Sequence, residues 1–142
     1  MEKAEYPKVY LYRRIVQAKL YIDEHYPEHI NLDLVSEEAA FSKFHFIRLF
    51  KKIYQKTPHQ YLREVRLDKA RELMTSGTLD IESVCIKVGF ESVGSFSSLF
   101  KRKFGHSPAL YSQMLKRQKE YTRERPLAYV PGCFASAYGW KS

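Results

Sequence analysis

The side chains best suited to chemistry in this chain are basic residues that occur twice, at matching positions of two similar segments. Residues 46–61 read FIRLFKKIYQKTPHQY and residues 96–111 read FSSLFKRKFGHSPALY. At an offset of 50, six of the sixteen positions are identical, and the Lys-Lys pair after Phe50 aligns with a Lys-Arg pair. Such side chains bind phosphate oxygens, and arginine also binds guanine edges. A repeat that keeps cations as well as apolar residues predicts two equivalent contacts with a polyanion.

Positive charge is concentrated in the same two parts of the chain. The net charge is +8, of which residues 43–71 carry +7 (nine basic, two acidic) and residues 98–125 carry +6 (eight basic, two acidic). Residues 1–42 and 72–97 each carry −3. A charge run alone is often only a solvated face. Two basic blocks on two repeated segments favour nucleic acid over a membrane surface.

Composition indicates a folded chain of one domain or two small subdomains. The 142 residues are 44% hydrophobic and 15% aromatic, which is enough to build a core. No apolar run reaches the roughly 18 residues of a membrane span, and the N-terminus lacks the apolar stretch of a signal peptide. Two cysteines, Cys85 and Cys133, are too few for a disulfide framework or a zinc cage. A cytoplasmic location is expected.

In the first half, apolar residues recur at helical spacing. A first helix is predicted near residues 10–25 and is ended by Pro27. Asn31 can cap a short helix, and Ser42 can cap the next one. The inward positions of the short helix are Leu32, Val35 and Ala39, and those of the next helix are Phe46, Leu49, Phe50 and Ile53.

A long helix follows. Thr57 and Gln60 form a capping box around Pro58, which suits a first helical turn. The helix is predicted to continue until Gly77, which makes a rod of about 27 Å.

The second half repeats the plan. Asp80 can cap a short helix that Gly89 ends, a further helix is predicted near 94–104, and Ser107 begins a last helix that continues to about Lys116. A short helix, a tight turn and a basic helix form a helix-turn-helix, whose second helix enters a DNA major groove. The predicted fold is all-α, with about seven helices in two helix-turn-helix subdomains joined by a long linking helix.

These elements predict five regions. They are an N-terminal extension (1–10), a first helix-turn-helix subdomain (11–57), the linking helix (58–77), a second helix-turn-helix subdomain (78–116), and a charged and then aromatic tail (117–142). The tail is expected either to be a flexible end or to pack on the domain or a partner.

Several motifs resemble the AraC/XylS family of bacterial transcription regulators over roughly residues 11–116. They are SKFHFIRLFKK, TPHQYLREVRLDKARELM, IESVCIKVGF, FKRKFG and SPALY. The resemblance implies two helix-turn-helix subdomains, binding to double-stranded promoter DNA and, usually, activation through RNA polymerase. The chain departs from the family pattern at Ala40 and Gln55, where glycine is usual, and at Ser98 and Ser112, where arginine is common.

Two sets of residues are predicted to contact DNA. If the apolar stripe of the first basic helix faces the core, its other face presents Lys43, Phe44, His45, Ile47, Arg48, Lys51 and Lys52. Arg48 is the preferred base reader, the alternative being a phosphate contact or a salt bridge to Glu64. Phe44 and Ile47 can pack on thymine methyls, although Phe44 could instead be a core residue. His45 and the lysines suit the backbone and phosphates.

The second copy presents fewer side chains that are suited to reading bases. Its presented residues are Ser92, Val93, Gly94, Ser95, Ser97, Ser98, Lys101 and Arg102. Serines bond bases or phosphates without strong preference. Because Arg48 aligns with Ser98, the first subdomain is expected to supply most of the sequence discrimination, while the second anchors phosphates and senses groove shape.

Enzymatic and metal chemistry find little support in the sequence. His25 and His29 are four residues apart, but Pro27 breaks the helix that would place them on one face. HExxH, GxSxG and phosphate-binding glycine-loop motifs are absent from the sequence. Cys85 is expected to be a packed core thiol. No catalytic residue, cofactor or metal is predicted.

The preferred function is a monomer-competent, sequence-specific transcription regulator of the bacterial cytoplasm and nucleoid, more often an activator. It binds promoter DNA, contacts RNA polymerase and makes no membrane contact. One alternative is the C-terminal half of a longer regulator whose sensor domain has been removed. Another is an interaction module with a degenerate second reading helix, which acts mainly through RNA polymerase or another protein.

Overall fold

The computed structural model describes residues 5–33, 42–77 and 79–125, and every regular element within these ranges is a helix. The six helices are α1 (Glu5–His25), α2 (Lys43–Tyr54), α3 (Pro58–Ser76), α4 (Ile81–Lys87), α5 (Val93–Phe104) and α6 (Pro108–Glu124). The all-α prediction is confirmed for this part of the chain. None of these helices is long and apolar enough to cross a membrane.

The short helix predicted from Asn31 is described only at its start. The Asn31 side chain accepts a hydrogen bond from the amide of Asp33 at 3.0 Å, as expected of a cap, and Leu32 is buried. The predicted inward residues Val35 and Ala39 lie outside the described residues, as do Ala40 and the aromatic part of the tail with Cys133.

Both end helices are longer than predicted. Helix α1 begins at Glu5 rather than near residue 10, because Pro7 lies in its first turn, where a missing amide hydrogen costs no helical bond. Helix α6 continues past Lys116 to Glu124, since the charged residues there favour helix although they have no apolar stripe. Arg125, which follows the last helical residue, has a non-helical backbone (φ −135°, ψ 65°), as expected before a proline.

The chain divides between Phe96 and Ser97, inside α5, into two compact units. The core of the first unit forms where α1, α2 and α3 meet. Helix α1 buries Ile15, Ala18 and Ile22 at the predicted helical spacing. Phe46 and Phe50 of α2 and Leu62 of α3 complete this cluster, together with Leu32.

The sequence repeat is also a repeat of helix caps. The Ser42 hydroxyl accepts a hydrogen bond from the His45 amide at 3.2 Å, and the Ser92 hydroxyl accepts one from the Ser95 amide at 3.0 Å. These bonds satisfy amides that have no partner inside α2 and α5. The start of each basic helix is therefore fixed by a serine at the same position of the repeat.

The Pro-started helices are capped in parallel as well. Thr57 accepts from the Gln60 amide at 3.2 Å, and the Gln60 side chain accepts from the Thr57 amide at 2.9 Å, so the predicted capping box is confirmed. In the second copy, Ser107 accepts from the Leu110 amide at 3.2 Å. The second copy has the hydroxyl cap of Ser107 but not the second bond of a capping box. Leu110 stands where Gln60 stands in the first copy, and a leucine side chain cannot accept a hydrogen bond from the capping residue.

Aromatic packing is the third repeated feature. The ring centroids of Phe50 and Tyr61 lie 5.8 Å apart, and those of the aligned Phe100 and Tyr111 lie 5.7 Å apart. Phe50 and Phe100 are both fully buried. The positions that are identical between the copies thus form matching aromatic contacts, each of which fixes a basic helix against the helix that follows it.

Each basic helix ends at a residue in the left-handed conformation. Gln55 has φ 64°, and the aligned Gly105 has φ 83°. Their amides donate to the carbonyls of Lys51 and Lys101, at 2.8 Å in both cases. Glycine adopts this conformation without strain, whereas a residue with a Cβ is disfavoured there. The glutamine in the first copy therefore strains the end of α2.

We predict that Gln55→Gly stabilises the protein by about 1 kcal/mol, because it relieves this strain. The reciprocal change Gly105→Ala should destabilise it by about the same amount through φ alone, since a Cβ there meets no atom within 4 Å. Thermal unfolding of the two variants measures both effects. A loss of stability in Gln55→Gly would contradict the account.

A polar cluster links α1 to α3 beside the first core. The Tyr61 hydroxyl donates to Asp23 Oδ1 at 2.6 Å, and Lys19 Nζ lies 2.7 Å from Asp23 Oδ2. Burial, followed by the hydrogen bond to Asp23, raises the pKa of Tyr61 to about 12. The neutral phenol is therefore favoured in the folded state.

We predict an alkaline loss of stability from this cluster. As the pH rises, the unfolded chain loses the Tyr61 proton first, so the contribution of Tyr61 is complete below about pH 10 and lost between about pH 10 and 12. Tyr61→Phe should lower the unfolding free energy by about 1–2 kcal/mol near pH 8 and by progressively less above about pH 10. Urea unfolding across this range measures the difference, with the exposed Tyr21→Phe as control. A deficit that stays constant with pH would exclude the mechanism.

Candidate nucleic-acid interface

Helix α2 has one buried face and one exposed face, as its stripe predicts. Phe46 and Phe50 are buried, and Leu49 and Ile53 are half-buried against the same core. Phe44, on the opposite side, is 78% exposed, which excludes the core position that the sequence left open for it. An outward aromatic ring on a basic helix has no packing role among the residues that the structure describes, so it is available to a partner.

Most of the residues predicted to contact DNA from α2 lie on its exposed face. They are Lys43, Phe44, His45, Arg48, Lys51 and Lys52. Ile47 differs, because it is half-buried and packs against the core cluster, so only part of its side chain can meet a ligand. Lys43 also forms an ion pair with Asp33 at 3.0 Å.

Arg48 lies exposed in the middle of α2. The sequence left open a salt bridge from Arg48 to Glu64, but the structure pairs Glu64 with Lys56. An exposed guanidinium near the centre of a basic helix can form a bidentate contact with a planar acceptor pair such as guanine O6 and N7.

Helix α5 presents a smaller and less charged face. The exposed residues of the predicted set are Ser92, Val93, Gly94, Ser95, Ser98, Lys101 and Arg102, whereas Ser97 is half-buried. The Ser92 hydroxyl already caps the helix, so one of its acceptor sites is in use. The cations of α5 are confined to its last turn, where Lys103 joins the predicted pair.

A tight turn leads from α4 into α5. The Asp80 side chain caps α4 at 2.7 Å from the Ser83 amide, as predicted. At the other end, Gly89 adopts φ 101° and its amide donates to Ile86 O at 3.0 Å, while the Phe90 amide donates to Cys85 O at 3.0 Å. Helix α4, this turn and α5 are the predicted second helix-turn-helix.

Buried side chains hold this turn in place. Val84, Cys85 and Val88 are buried on one side of α4. Burial raises the pKa of the Cys85 thiol, with a smaller contribution from Glu82. Cys85 is therefore a core thiol, as the sequence predicts.

Arg66 joins the end of α1 to the middle of α3. Its Nε donates to Tyr26 O at 2.7 Å and its Nη2 donates to Glu28 O at 2.9 Å. Burial lowers the pKa of Arg66, and Glu91 partly offsets this effect. Two charge-assisted bonds thus hold the segment that follows α1.

Gly89 lies directly against this junction. A Cβ at Gly89 would lie 2.9 Å from Tyr26 O, 3.0 Å from Pro27 O and 3.0 Å from Arg66 Nε. The absence of a side chain therefore lets the turn before α5 approach the segment held by Arg66. The first turn of α5 takes its position from a contact with the end of α1.

The sequence did not predict the structural role of Arg66, which contributed only to the number of basic residues in the first basic block. A signal was present, because Arg66 lies four residues from Leu62 and from Ala70, both of which are buried. An arginine on the apolar side of a helix needs acceptors inside the fold.

Comparison with known proteins identifies the family. A model described as a helix-turn-helix domain matches residues 35–114. The crystal structure of the DNA-binding domain of AdpA, in complex with a target DNA, superposes with a TM-score of 0.67 and 25% identity, covering 79% of this chain and 96% of that one. This chain belongs to the AraC/XylS family.

Curated members of the AraC/XylS family also match this chain. Regulatory protein SoxS of Salmonella typhimurium is 29% identical over 105 residues, which are 73% of this chain and 98% of SoxS. The bifunctional transcriptional activator/DNA repair enzyme AdaA of Bacillus subtilis is 33% identical over 101 residues, which are 71% of this chain. This chain spans about half of AdaA (48%). The AraC/XylS assignment establishes a DNA-binding domain with two helix-turn-helix subdomains.

We predict that Gly89→Ala destabilises this AraC/XylS domain by about 2–3 kcal/mol, because the new Cβ meets two carbonyl oxygens in a conformation that L-residues avoid. The matched control is Gly94→Ala in α5, where a Cβ would meet only Ser92 Oγ at 3.8 Å. That change should be neutral or stabilise by up to about 1 kcal/mol. Denaturant unfolding of both variants is the measurement, and equal effects would refute the contact.

Proposed function

We propose that this chain is a sequence-specific regulator of bacterial promoters that inserts α2 and α5 into successive major grooves. The observation that carries the proposal is the outward face of α2, where Arg48, Lys51 and Lys52 are exposed beside a Phe44 ring that is 78% exposed. This face offers a bidentate base reader, an apolar contact for a thymine methyl, and two phosphate ligands.

The two helices are proposed to read DNA unequally. Arg48 of α2 reads base edges, with Phe44 and part of Ile47 on thymine methyls, while His45 and the lysines bind the backbone. Serines occupy most of the corresponding face of α5, and its cations lie in the last turn. We infer that α5 anchors phosphates and senses groove shape.

The length of α3 is compatible with binding as a monomer. Its 19 residues make a rod of about 28 Å. Together with the width of a helix, about 10 Å, this length is enough to place two recognition helices about 34 Å apart, the spacing of successive major grooves. The proposed division is a first subdomain at 11–57, the linking helix at 58–77 and a second subdomain at 78–116. The first and last of the described helices extend beyond these bounds, to Glu5 and to Glu124.

The proposed regulation is activation through contact with RNA polymerase, in the cytoplasm and on the nucleoid. The relatives support this proposal, because AdaA is named a transcriptional activator and SoxS a regulatory protein. We propose that the chain itself catalyses no reaction. The match to AdaA covers 48% of that bifunctional protein, and the chain aligns with 98% of SoxS, which is named a regulator alone.

A second candidate function is that of an interaction module, which acts mainly by docking RNA polymerase or another protein. The observation that favours it is the serine-rich face of α5, which offers few strong base readers. A longer regulator with a sensor domain would use the same DNA-binding face.

Selection of binding sites from random DNA tests the proposed function. We predict a defined motif for the wild-type chain, and an Arg48→Ala variant that binds it about 10- to 100-fold more weakly with relaxed preference at one guanine. Ser98→Ala changes the aligned position of the second copy and should alter affinity little. Failure to enrich any motif would favour the interaction module. Equal penalties for base changes in both half-sites would overturn the unequal reading.

A further inference from the structure

A polar cleft of about 580 Å³ lies beside the first turn of α5. The segment after α1, helix α3 and the turn that precedes α5 form its walls. The polar side chains that line it are His29, His59, Arg66, Glu91, Ser92 and Ser95. Both histidines line the cleft and are exposed. The predicted DNA contacts and the proposed role of α2 make no use of these histidines.

The position of the cleft indicates what it can bind. A recognition helix enters the major groove with its N-terminal residues near the base edges, and the sugar-phosphate backbone borders that groove. Ser92 and Ser95 lie at the start of α5 and also line the cleft. A backbone strand beside this part of α5 would therefore pass across the cleft and face His29 and His59.

We propose that His29 and His59 together bind a backbone phosphate of the DNA that α5 enters. The proposal rests on the proposed function, since it requires α5 to lie in a groove. A protonated imidazole donates a charge-assisted hydrogen bond to a phosphate oxygen. Because imidazole gains its proton near neutral pH, the contact strengthens as the pH falls.

Arg66 has a positioning role in this site. Its Nε and Nη2 bind the carbonyls of Tyr26 and Glu28, so it fixes the backbone just before His29. It also adds positive charge to the cleft wall.

The other charges around the histidines are mixed. Glu91 lines the cleft and repels a phosphate, so its removal should strengthen binding. A smaller depression, which His59 also lines, contains Lys43 and Asp33, which form an ion pair with one another. Glu28, next to His29 in the chain, is hydrogen-bonded to His25, with 3.0 Å between His25 Nδ1 and Glu28 Oε2. Together with Arg66, the two histidines are the side chains of the cleft lining that can carry positive charge.

The test measures the affinity for a selected duplex and for an unrelated duplex, at about pH 6 and pH 8 and at several salt concentrations. The variants are the double change His29→Gln with His59→Gln, the single change Glu91→Gln, and His106→Gln as a control. His106 is an exposed histidine in the turn before α6, away from the cleft lining.

The double variant should bind both duplexes about five- to tenfold more weakly at the lower pH, because a phosphate contact is independent of sequence, and should reduce the salt slope by about 1, as the loss of one phosphate contact requires. Its affinity should change less with pH than that of the wild type. Glu91→Gln should bind both duplexes more tightly, and His106→Gln should behave as the wild type. Unfolding curves of each variant check the fold.

The outcomes separate this proposal from the proposed function. If the wild type selects a motif but the double variant keeps its affinity, salt slope and pH response, the phosphate site is overturned and the function stands. If no motif is selected but DNA binding still depends on the two histidines, the regulator proposal fails and the phosphate site stands. If the double variant does not fold, an unchanged affinity in Glu91→Gln overturns the site.

Discussion

The guanidinium of Arg66 is the constraint on which the arrangement of the first unit depends. A half-buried cation must find acceptors, and here the acceptors are the carbonyls of Tyr26 and Glu28 at the end of α1. The turn at Gly89, which has no side chain, packs closely against the segment that contains these two carbonyls. The start of α5 and one side of the polar cleft are therefore set by one side chain of α3.

The two copies of the repeat share the residues that cap and pack the helices, whereas the residues that face outward differ between the copies. Ser42 and Ser92 cap the basic helices in the same way, and the Phe–Tyr contacts of the two copies differ by 0.1 Å (5.8 and 5.7 Å). The outward positions diverge, with Arg48 against Ser98. The repeat therefore provides the same helical scaffold twice. The residues on the exposed face of each copy can differ without changing that scaffold.

Local patterns predicted much of the fold. The caps at Ser42, Thr57 and Asp80 and the buried stripe of α2 depend on residues a few positions apart, so periodicity and side-chain chemistry reveal them. The long α6 was underestimated, because a helix built on charged residues lacks an apolar stripe. The half-burial of Ile47 depends on tertiary packing against the core, which the stripe alone does not specify.

The cleft was beyond prediction for a different reason. Its walls come from segments up to 68 residues apart, from Pro27 to Ser95, and hydrogen bonds from Arg66 that span roughly 40 positions join them. No local sequence pattern predicts that these segments lie next to one another. The sequence indicated His59 only as part of the capping motif of α3. It indicated His29 only as one member of a metal-binding pair with His25, which Pro27 rules out.

The burial of Cys85 gives the second helix-turn-helix a built-in chemical reporter. Its thiol is 1% exposed and donates to Phe90 O at 3.8 Å, so a thiol-specific reagent reaches it only when α4 and the turn separate. With Cys133 replaced by serine, the labelling rate at Cys85 therefore follows the opening equilibrium of this motif rather than unfolding elsewhere. The same measurement with and without DNA would show how far a bound duplex slows that opening.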